Sequence, residues 1–301
     1  MTPMAPTADV RKPAGARLVA LTTLALVAFA GNSLLCRAAL AAPGFDPATF
    51  TGVRLLSGAF ALALLARPWT RLFRGAGSWA SGAALFVYAA AFSWAYLSLT
   101  AGTGALLLFG AVQATMNLAA WASGERPGPR GLAGLGLALA GLAVLVLPGL
   151  AAPPPEAALA MVAAGIAWGI YSLRGRGSRD PLAETAANFV RAATLAVLLF
   201  FLFALFQKPS ALAIRGAEGL PIFYAVLSGA LTSGAGYAVW YSALRGLSAS
   251  AAALVQLAVP PLAALGGILL LGEAPTFRLL GASLLTLGGI ALGVAARRAT
   301  P

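Results

Sequence analysis

The sequence predicts an all-α protein whose helices cross a membrane ten times. Two features of the composition indicate this class: 60% of the 301 residues are hydrophobic, and only 9% are charged. Soluble globular proteins carry about 25% charged residues, so this chain lacks the means to cover a surface in water. The third feature is the recurrence of apolar stretches of about 20 residues, a length that crosses about 30 Å of hydrocarbon. These stretches do not alternate apolar and polar residues, which excludes the strands of an outer-membrane barrel.

Proline, glycine and charged residues divide the chain into ten predicted spans. In order, they cover residues 17–40, 47–66, 78–98, 102–122, 130–148, 156–173, 184–206, 220–244, 248–271 and 276–296. Residues 1–16 precede them and are predicted to form a disordered, basic tail. The first span is too long for the apolar part of a cleaved signal peptide, and no convincing cleavage site follows it.

The distribution of basic residues predicts the orientation, because cytoplasmic segments of membrane proteins are enriched in Lys and Arg. Eighteen basic residues lie outside the spans or at their ends. Four of them, Arg37, Lys208, Arg215 and Arg278, lie on one side. The other fourteen share the side of the N-terminus: Arg11, Lys12, Arg17, Arg67, Arg71, Arg74, Arg126, Arg130, Arg174, Arg176, Arg179, Arg245, Arg297 and Arg298. We therefore expect a multi-pass protein of the bacterial inner membrane with both termini in the cytoplasm.

The two halves of the chain resemble each other. An offset of 137 residues places Arg37 on Arg174 and Arg54 on Arg191. Slightly larger offsets align Phe92, Tyr96 and Leu99 with Tyr237, Tyr241 and Leu244, and Gly124-Glu125 with Gly272-Glu273. We interpret this as one five-helix unit present twice, at 17–148 and 156–296. An odd number of spans inserts the two units in opposite orientations, as in many secondary transporters whose substrate site lies near the membrane midplane.

Several functional classes are excluded by residues that the sequence lacks. With no histidine and a single cysteine, Cys36, it offers no Cys/His metal site, intrachain disulfide or Ser–His catalysis. There is no Gly-rich phosphate loop, so neither an ATP-driven pump, an enzyme nor a bound cofactor is expected. The net charge of +12 comes from basic residues that lie between the apolar segments and do not form a stripe on one surface. This distribution argues against nucleic-acid binding.

The eight acidic residues all lie in the tail, in loops or at helix ends: Asp9, Asp46, Glu125, Glu156, Asp180, Glu184, Glu218 and Glu273. Ion coupling through a carboxylate at mid-membrane is therefore unsupported. For Glu125 and Glu273 we weigh a gate ion pair against helix capping or pairing with Arg126, Arg130 or Arg278, and the structural interpretation has the larger weight.

The stretch from residue 237 to residue 293 resembles the second repeat of the EamA-type carriers of the drug/metabolite transporter superfamily. The resemblance rests on the pair Tyr237/Tyr241, Ala243-Leu244, Pro260-Pro261 and Leu271-Gly272-Glu273. It covers nearly the whole chain after the tail, although Val112-Gln113 replaces the paired prolines in the first half. It implies two five-helix repeats that work by alternating access, with substrates that vary widely among members.

Aromatic and uncharged polar side chains within the spans are the candidate substrate-binding residues. We select Asn32, Tyr88, Phe92, Gln113, Trp168, Tyr237, Tyr241 and Gln256, because aromatic faces stack on planar groups and amides orient polar ones. Packing or helix–helix hydrogen bonding would explain any one of them equally well. Arg54, Arg191 and Tyr96 are candidates for a gate or for binding a carboxylate, the alternative for the arginines being snorkelling or structural pairing.

Two groups of small or helix-breaking residues predict how the helices move and pack. Pro260-Pro261 should kink the ninth helix in its middle, and Gly266-Gly267 adds flexibility, so these four form a predicted hinge. The glycine-rich fifth and tenth spans are assigned to scaffold or dimer contacts, which leaves a homodimer open.

A cavity of aromatics and neutral amides, without a fixed acid, suits a zwitterion. Together with the resemblance, this indicates an exporter of amino acids, in particular aromatic ones, whose partners are that solute and the lipid bilayer. One alternative is a facilitator for another small metabolite or drug, such as a nucleotide sugar, a sugar phosphate or an organic cation. The other is a membrane scaffold that transports nothing.

Overall fold

A computed structural model describes residues 15–66, 76–122, 124, 128–147, 152–176, 178–206, 219–247, 252 and 255–298 of the chain. These residues form ten helices and no strand, one helix for each predicted span. The helices are α1 (Gly15–Leu40), α2 (Pro47–Leu65), α3 (Trp79–Ala95), α4 (Ala101–Ala122), α5 (Pro129–Val146), α6 (Pro155–Gly175), α7 (Pro181–Phe206), α8 (Leu220–Leu244), α9 (Val259–Leu271) and α10 (Phe277–Arg298). Of the predicted tail, residues 1–14 lie outside the described part, and α1 begins at Gly15.

Six of these helices, α1, α2, α4, α6, α7 and α8, are long and apolar enough to cross a membrane, and the other four are shorter but also apolar. Large apolar side chains face outward from the bundle; Phe60, Leu269 and Leu284 are 68%, 70% and 77% exposed. Such an apolar exterior is unfavourable in water and suits lipid. The fold is that of a polytopic membrane protein.

The helices begin where the sequence supplies a proline or a polar cap. Proline occupies the first turn of α2, α5, α6, α8 and α9. It is tolerated there because backbone N–H groups in the first turn have no acceptor within the helix, so the N–H that proline lacks would have made no helical hydrogen bond. Asp46 caps α2 by accepting hydrogen bonds from the Ala48 and Thr49 amides, both at 2.9 Å. In the predicted ninth span, Ala252 and Val255-Gln256 are helical, residues 257 and 258 form a turn, and α9 begins at Val259 with Pro260-Pro261 in its first turn. The helical structure of this span is thus interrupted directly before the two prolines, and their role as a hinge stays a prediction.

The main packing partners are the same for both halves of the chain. Helices α2 and α7 pack on each other, as do α4 and α9, and α5 and α10. Helix α1 packs on α8 and α9, and α6 correspondingly packs on α3 and α4. Likewise α2 packs on α8, and α7 packs on α3. Exchanging α1–α5 with α6–α10 leaves this set of pairs unchanged.

The glycines of α5 and α10 allow these two helices to approach closely. Gly141 lies against Thr286 and the Ala282 carbonyl, and Gly289 lies against the backbone of Ala138. Small residues permit such backbone contact in membranes, where helix association depends on close packing. The predicted scaffold role of the glycines thus matches the contact between these two helices.

The middle of α8, Ser228–Ala235, is π-helical, between α-helical segments at Leu220–Leu227 and Gly236–Leu244. Its Gly229 packs directly on the carbonyl of Arg54 and the hydroxyl of Ser57 in α2, so closely that any Cβ would overlap them. In a π-helix the hydrogen bonds join residues five apart, which changes which side chains share a face. This segment adjoins the polar centre of the bundle.

Candidate functional site

Arg54 of α2 is the centre of a buried polar cluster between the helices. Its side chain is 1% exposed. The guanidinium donates from Nε to Ser233 Oγ at 3.0 Å and from Nη2 to the hydroxyls of Tyr88 and Tyr237 at 3.1 and 3.0 Å. Tyr237 also donates to Tyr88 Oη at 3.2 Å. We call Arg54, Asn32, Tyr88, Ser233 and Tyr237 the arginine cluster.

Asn32 of α1 connects this cluster to the π-helical segment of α8. Its Nδ2 donates to Tyr88 Oη at 3.2 Å, and its Oδ1 accepts from Ser228 at 2.7 Å and from Ser233 at 3.4 Å. Ser228 and Ser233 are five residues apart, a spacing that an α-helix would separate and that the π-helix brings to one acceptor. The local irregularity of α8 therefore positions the hydroxyls around Arg54.

Aromatic rings surround the arginine cluster. The Trp168 ring lies 4.6 Å from that of Tyr237 and 5.0 Å from that of Tyr88, measured between centroids. Phe29 contacts Trp168, Tyr237 and Trp240 edge-on, at 5.5–5.9 Å. The guanidinium carbon of Arg54 lies 5.0 Å from the centroid of the Phe92 ring, within cation–π range. We call Phe29, Phe92, Trp168 and Trp240 the aromatic shell.

Two donors at this centre have no hydrogen-bond partner among the described residues. They are Nη1 of Arg54 and Nε1 of Trp168, and both are buried. A buried donor without a partner is costly, more so when it carries charge. Both side chains contact the same pair of phenols, Tyr88 and Tyr237, so the unused N–H groups belong to one site.

An ion pair joins helix ends on one side of this centre. Arg37, at the end of α1, pairs with Glu273, which follows α9, at 3.4 Å. The Glu273 carboxylate also accepts from the Ala101 amide at the start of α4, at 2.9 and 3.0 Å. Arg37 donates in turn to the carbonyl of Tyr96, at 3.2 Å. Glu273 thus caps a helix, as predicted. The predicted pairing of Glu273 with Arg278 is wrong, because Glu273 pairs with Arg37 and Arg278 donates to the carbonyls of Leu145 and Leu147.

A cavity of about 120 Å³ lies on the other side of the centre. Its walls include Met116 of α4, Trp240 of α8, Gln256 and the exposed Arg176. Since Trp240 belongs to the aromatic shell, the cavity leads from the surface near Arg176 to one face of the site. Gln256 donates to the carbonyl of Ala252 at 3.2 Å.

The structure brings six of the predicted residues together: Asn32, Arg54, Tyr88, Phe92, Trp168 and Tyr237. Two other predicted residues lie on the cavity side: Gln256 lines the cavity, and Tyr241 packs against Tyr171, with ring centroids 6.1 Å apart. Gln113 is buried on α4, three residues before the cavity-lining Met116. Tyr96 packs on Phe92 at 4.7 Å and donates to the Ala101 carbonyl at 3.2 Å.

Arg191 does not join Arg54 at the centre. It donates to the carbonyls of Ala76 and Ala187, at 3.1 and 2.9 Å, and lies 6.0 Å from the Trp79 ring. Of the predicted hinge glycines, Gly266 packs against Leu34 and Gly267 against Glu273.

Sequence reasoning missed Phe29 and Ser228. The signal for Phe29 was its position three residues before Asn32, on the same face of α1. Ser228 gave no such signal, because its place in the site depends on the π-helix.

Comparison with known proteins places the second half of the chain in a described family. The sequence profile of the EamA-like transporter family matches residues 156–294. Uncharacterized protein PA1977 of Pseudomonas aeruginosa is 57% identical over 285 residues, which cover 93% of this chain and 96% of the relative. A solved crystal structure of a protein is similar with a TM-score of 0.67 at 24% identity, over 94% of this chain and 99% of that one. At this identity the likeness shows the fold alone.

Proposed function

We propose that this chain, whose residues 156–294 match the EamA-like transporter family, is a secondary transporter of that family. In this proposal it exports amino acids, aromatic ones included, across the bacterial inner membrane. Membership indicates a multi-pass membrane protein that moves small molecules. The substrate class, the direction and the membrane are the proposal. They rest on the site that the two halves build together.

The main support for the proposal is that both halves of the chain contribute residues to the arginine cluster and the aromatic shell. Asn32, Arg54 and Tyr88 belong to the first five helices, whereas Trp168 and Tyr237 belong to the last five. A buried site between two halves is where carriers of this architecture bind substrate. Hydrophobic side chains would have stabilised a mere scaffold at lower cost than a buried, partly unpaired arginine.

The packing of the helices supports an inverted repeat. The main helix pairs are preserved when the two halves are exchanged, which is expected of two copies of one unit related by a twofold axis. Each unit has five helices, so the second enters the membrane in the opposite direction. The unit boundaries that we propose, 17–148 and 156–296, fall between α5 and α6.

The two ends of the site differ, as alternating access requires. The Arg37–Glu273 ion pair closes one end, and the cavity near Arg176 reaches the other. With both termini in the cytoplasm, the cavity side is cytoplasmic and the ion-pair side is periplasmic. The molecule is then closed to the outside and entered from within, which is the state in which an exporter loads.

The chemistry of the site fits an aromatic amino acid. The shell offers ring faces and edges for an apolar side chain, and Arg54 offers two unused N–H groups to a carboxylate. Phosphate groups of nucleotide sugars and sugar phosphates need several basic residues that converge on one point. Among the described residues, Arg54 is the one basic residue at the centre, because Arg191 donates to the carbonyls of Ala76 and Ala187. An organic cation would meet the positive charge of Arg54.

Transport by the purified protein in liposomes tests the proposal. Uptake and counterflow are measured with a panel of labelled amino acids, with and without a pH gradient. We expect saturable transport of phenylalanine, tyrosine or tryptophan, abolished by Trp168→Ala. Trp79→Ala is the matched control, because Trp79 is 58% exposed and lies outside the shell. Flat traces across the whole panel would exclude amino-acid transport.

A further inference from the structure

Among the described residues, no acidic side chain balances the positive charge of the arginine cluster. Arginine is protonated at any physiological pH. The groups to which Arg54 donates are hydroxyls of Ser233, Tyr88 and Tyr237, which are neutral at pH 7. The ion pair found in the described part of the chain joins Arg37 and Glu273. The described acids Asp46, Glu156, Asp180, Glu184 and Glu273 lie at helix starts or in loops.

The hydrogen bonds of the cluster leave two nitrogen donors unused, while each of its side-chain acceptors named below already accepts at least one hydrogen bond. Tyr88 Oη accepts from Asn32 and Arg54, and Asn32 Oδ1 accepts from two serines. Ser233 Oγ and Tyr237 Oη each accept from Arg54. The unused groups, Arg54 Nη1 and Trp168 Nε1, only donate. Among the described atoms of the cluster, the donors without a partner therefore match a carboxylate, and the positive charge of Arg54 disfavours an ammonium group.

We propose that this site binds its substrate as an organic anion: a monocarboxylate with an aromatic or apolar body, held by Arg54 Nη1 and Trp168 Nε1. An added ammonium group weakens binding, so an aromatic acid without one binds more tightly than the amino acid of the same skeleton. This inference rests on the proposed transport function, and it replaces the amino acid with an organic anion as the preferred substrate of the same site. It differs from the zwitterion preference expected from the sequence, because the sequence did not reveal that Arg54 stands at the centre without a counterion.

The driving force follows from the charge that moves. Arg54 stays in the protein, so a monoanion carries one negative charge across the membrane in each cycle. An inside-negative potential of about 100 mV then favours its export about 50-fold, without a co-transported proton or sodium ion. No titratable carboxylate at mid-membrane is required, in agreement with the positions of the acids.

Three ligands on one skeleton test the inference. The compounds are 3-phenylpropionate, L-phenylalanine and 2-phenylethylamine, which carry the carboxylate alone, both charged groups, and the ammonium alone. Their binding to wild-type protein in nanodiscs is measured by equilibrium dialysis. We expect phenylpropionate to bind at least about tenfold more tightly than phenylalanine. At an effective dielectric constant of 20, the repulsion between an ammonium and a guanidinium about 5 Å apart raises the dissociation constant by more than about tenfold. Phenylethylamine should not bind.

Variants and currents provide the second readout. Arg54→Gln should remove the preference for the anion, whereas Arg245→Gln, a surface arginine that donates to the Arg179 carbonyl, should keep it. On a solid-supported membrane, phenylpropionate should produce a current that phenylalanine does not, and its neutral form crosses lipid without current. If phenylalanine binds as tightly as phenylpropionate or more tightly, the inference is wrong and the proposed function stands. If none of the three binds, the proposed function fails together with it.

Discussion

The Arg37–Glu273 ion pair should control how readily the site opens at the end that we propose to be periplasmic. We consider Glu273→Gln, which removes the charge and leaves an oxygen that still accepts from the Ala101 amide. Hydrogen bonds to charged groups contribute about 1.5–3 kcal/mol and neutral ones about 0.5–1.5, so this contact weakens by about 1 kcal/mol. The partly exposed ion pair with Arg37 adds about 0.2–1 kcal/mol. A total of about 1–2 kcal/mol shifts an opening equilibrium about 5- to 30-fold.

The single cysteine reports this opening directly. Cys36 is buried and adjoins Arg37 at the end of α1. We expect a membrane-impermeant maleimide, added to right-side-out vesicles, to label Cys36 about 5- to 30-fold faster in Glu273→Gln than in wild type. Cys36→Ser gives the blank. Glu156→Gln is the matched control, since it removes an exposed acid from the first turn of α6.

Two results would refute this reasoning. Equal labelling rates in wild type and Glu273→Gln would mean that the ion pair does not limit opening. Faster labelling to the same extent from both sides of the membrane would mean that the substitution loosens the whole bundle. The assay needs no substrate, so it tests the closed end independently of what the protein carries.

Three further substitutions test the contacts around Arg54. Gly229→Ala should lower the thermal stability or the folded yield in detergent, because its Cβ overlaps α2 backbone, whereas Gly281→Ala, with open space beside it, should not; equal melting curves would contradict this. Tyr237→Phe leaves Nη2 of Arg54 with Tyr88 alone, and should cost about 1–3 kcal/mol of stability, measured by fluorescence-monitored unfolding. Asn32→Asp supplies the missing counterion, so the folded protein should bind phenylpropionate at least about tenfold more weakly by equilibrium dialysis; unchanged affinity would argue against an anion site.

The number and order of the helices could be predicted because they depend on local properties. Apolar length decides whether a segment spans a membrane, and proline marks a helix start wherever it occurs. Tyr88, Phe92 and Tyr96 follow from helical spacing, and their rings are stacked in order in the structure. The same local reasoning places a break at Pro260-Pro261, and the structure has a turn at residues 257 and 258, directly before these prolines.

The polar contacts could not be predicted, because they join residues far apart in sequence. Arg278 is the arginine nearest to Glu273 in sequence, but the partner of Glu273 in the structure, Arg37, belongs to the first helix of the chain. Ser228 reaches Asn32 through a π-helix that the sequence does not announce. For Arg54 the sequence left open a gate, a carboxylate site, snorkelling and structural pairing, and in the structure its guanidinium lies among neutral groups at 1% exposure.

In the inverted repeat that we propose, the different contacts of Arg54 and Arg191 would let the site bind its substrate in one orientation. The two arginines align in sequence, and α2 packs on α7 across the centre, so equal treatment would place two cations there. Instead, Arg191 is satisfied by the carbonyls of Ala76 and Ala187, and Arg54 by hydroxyls that leave two N–H groups unused. The carboxylate that we propose as the ligand would then have one docking point, at Arg54. Restoring symmetry, by freeing Arg191 from its carbonyls, would add a second cation and favour a dianion, which is how we expect the charge preference of such a site to be changed.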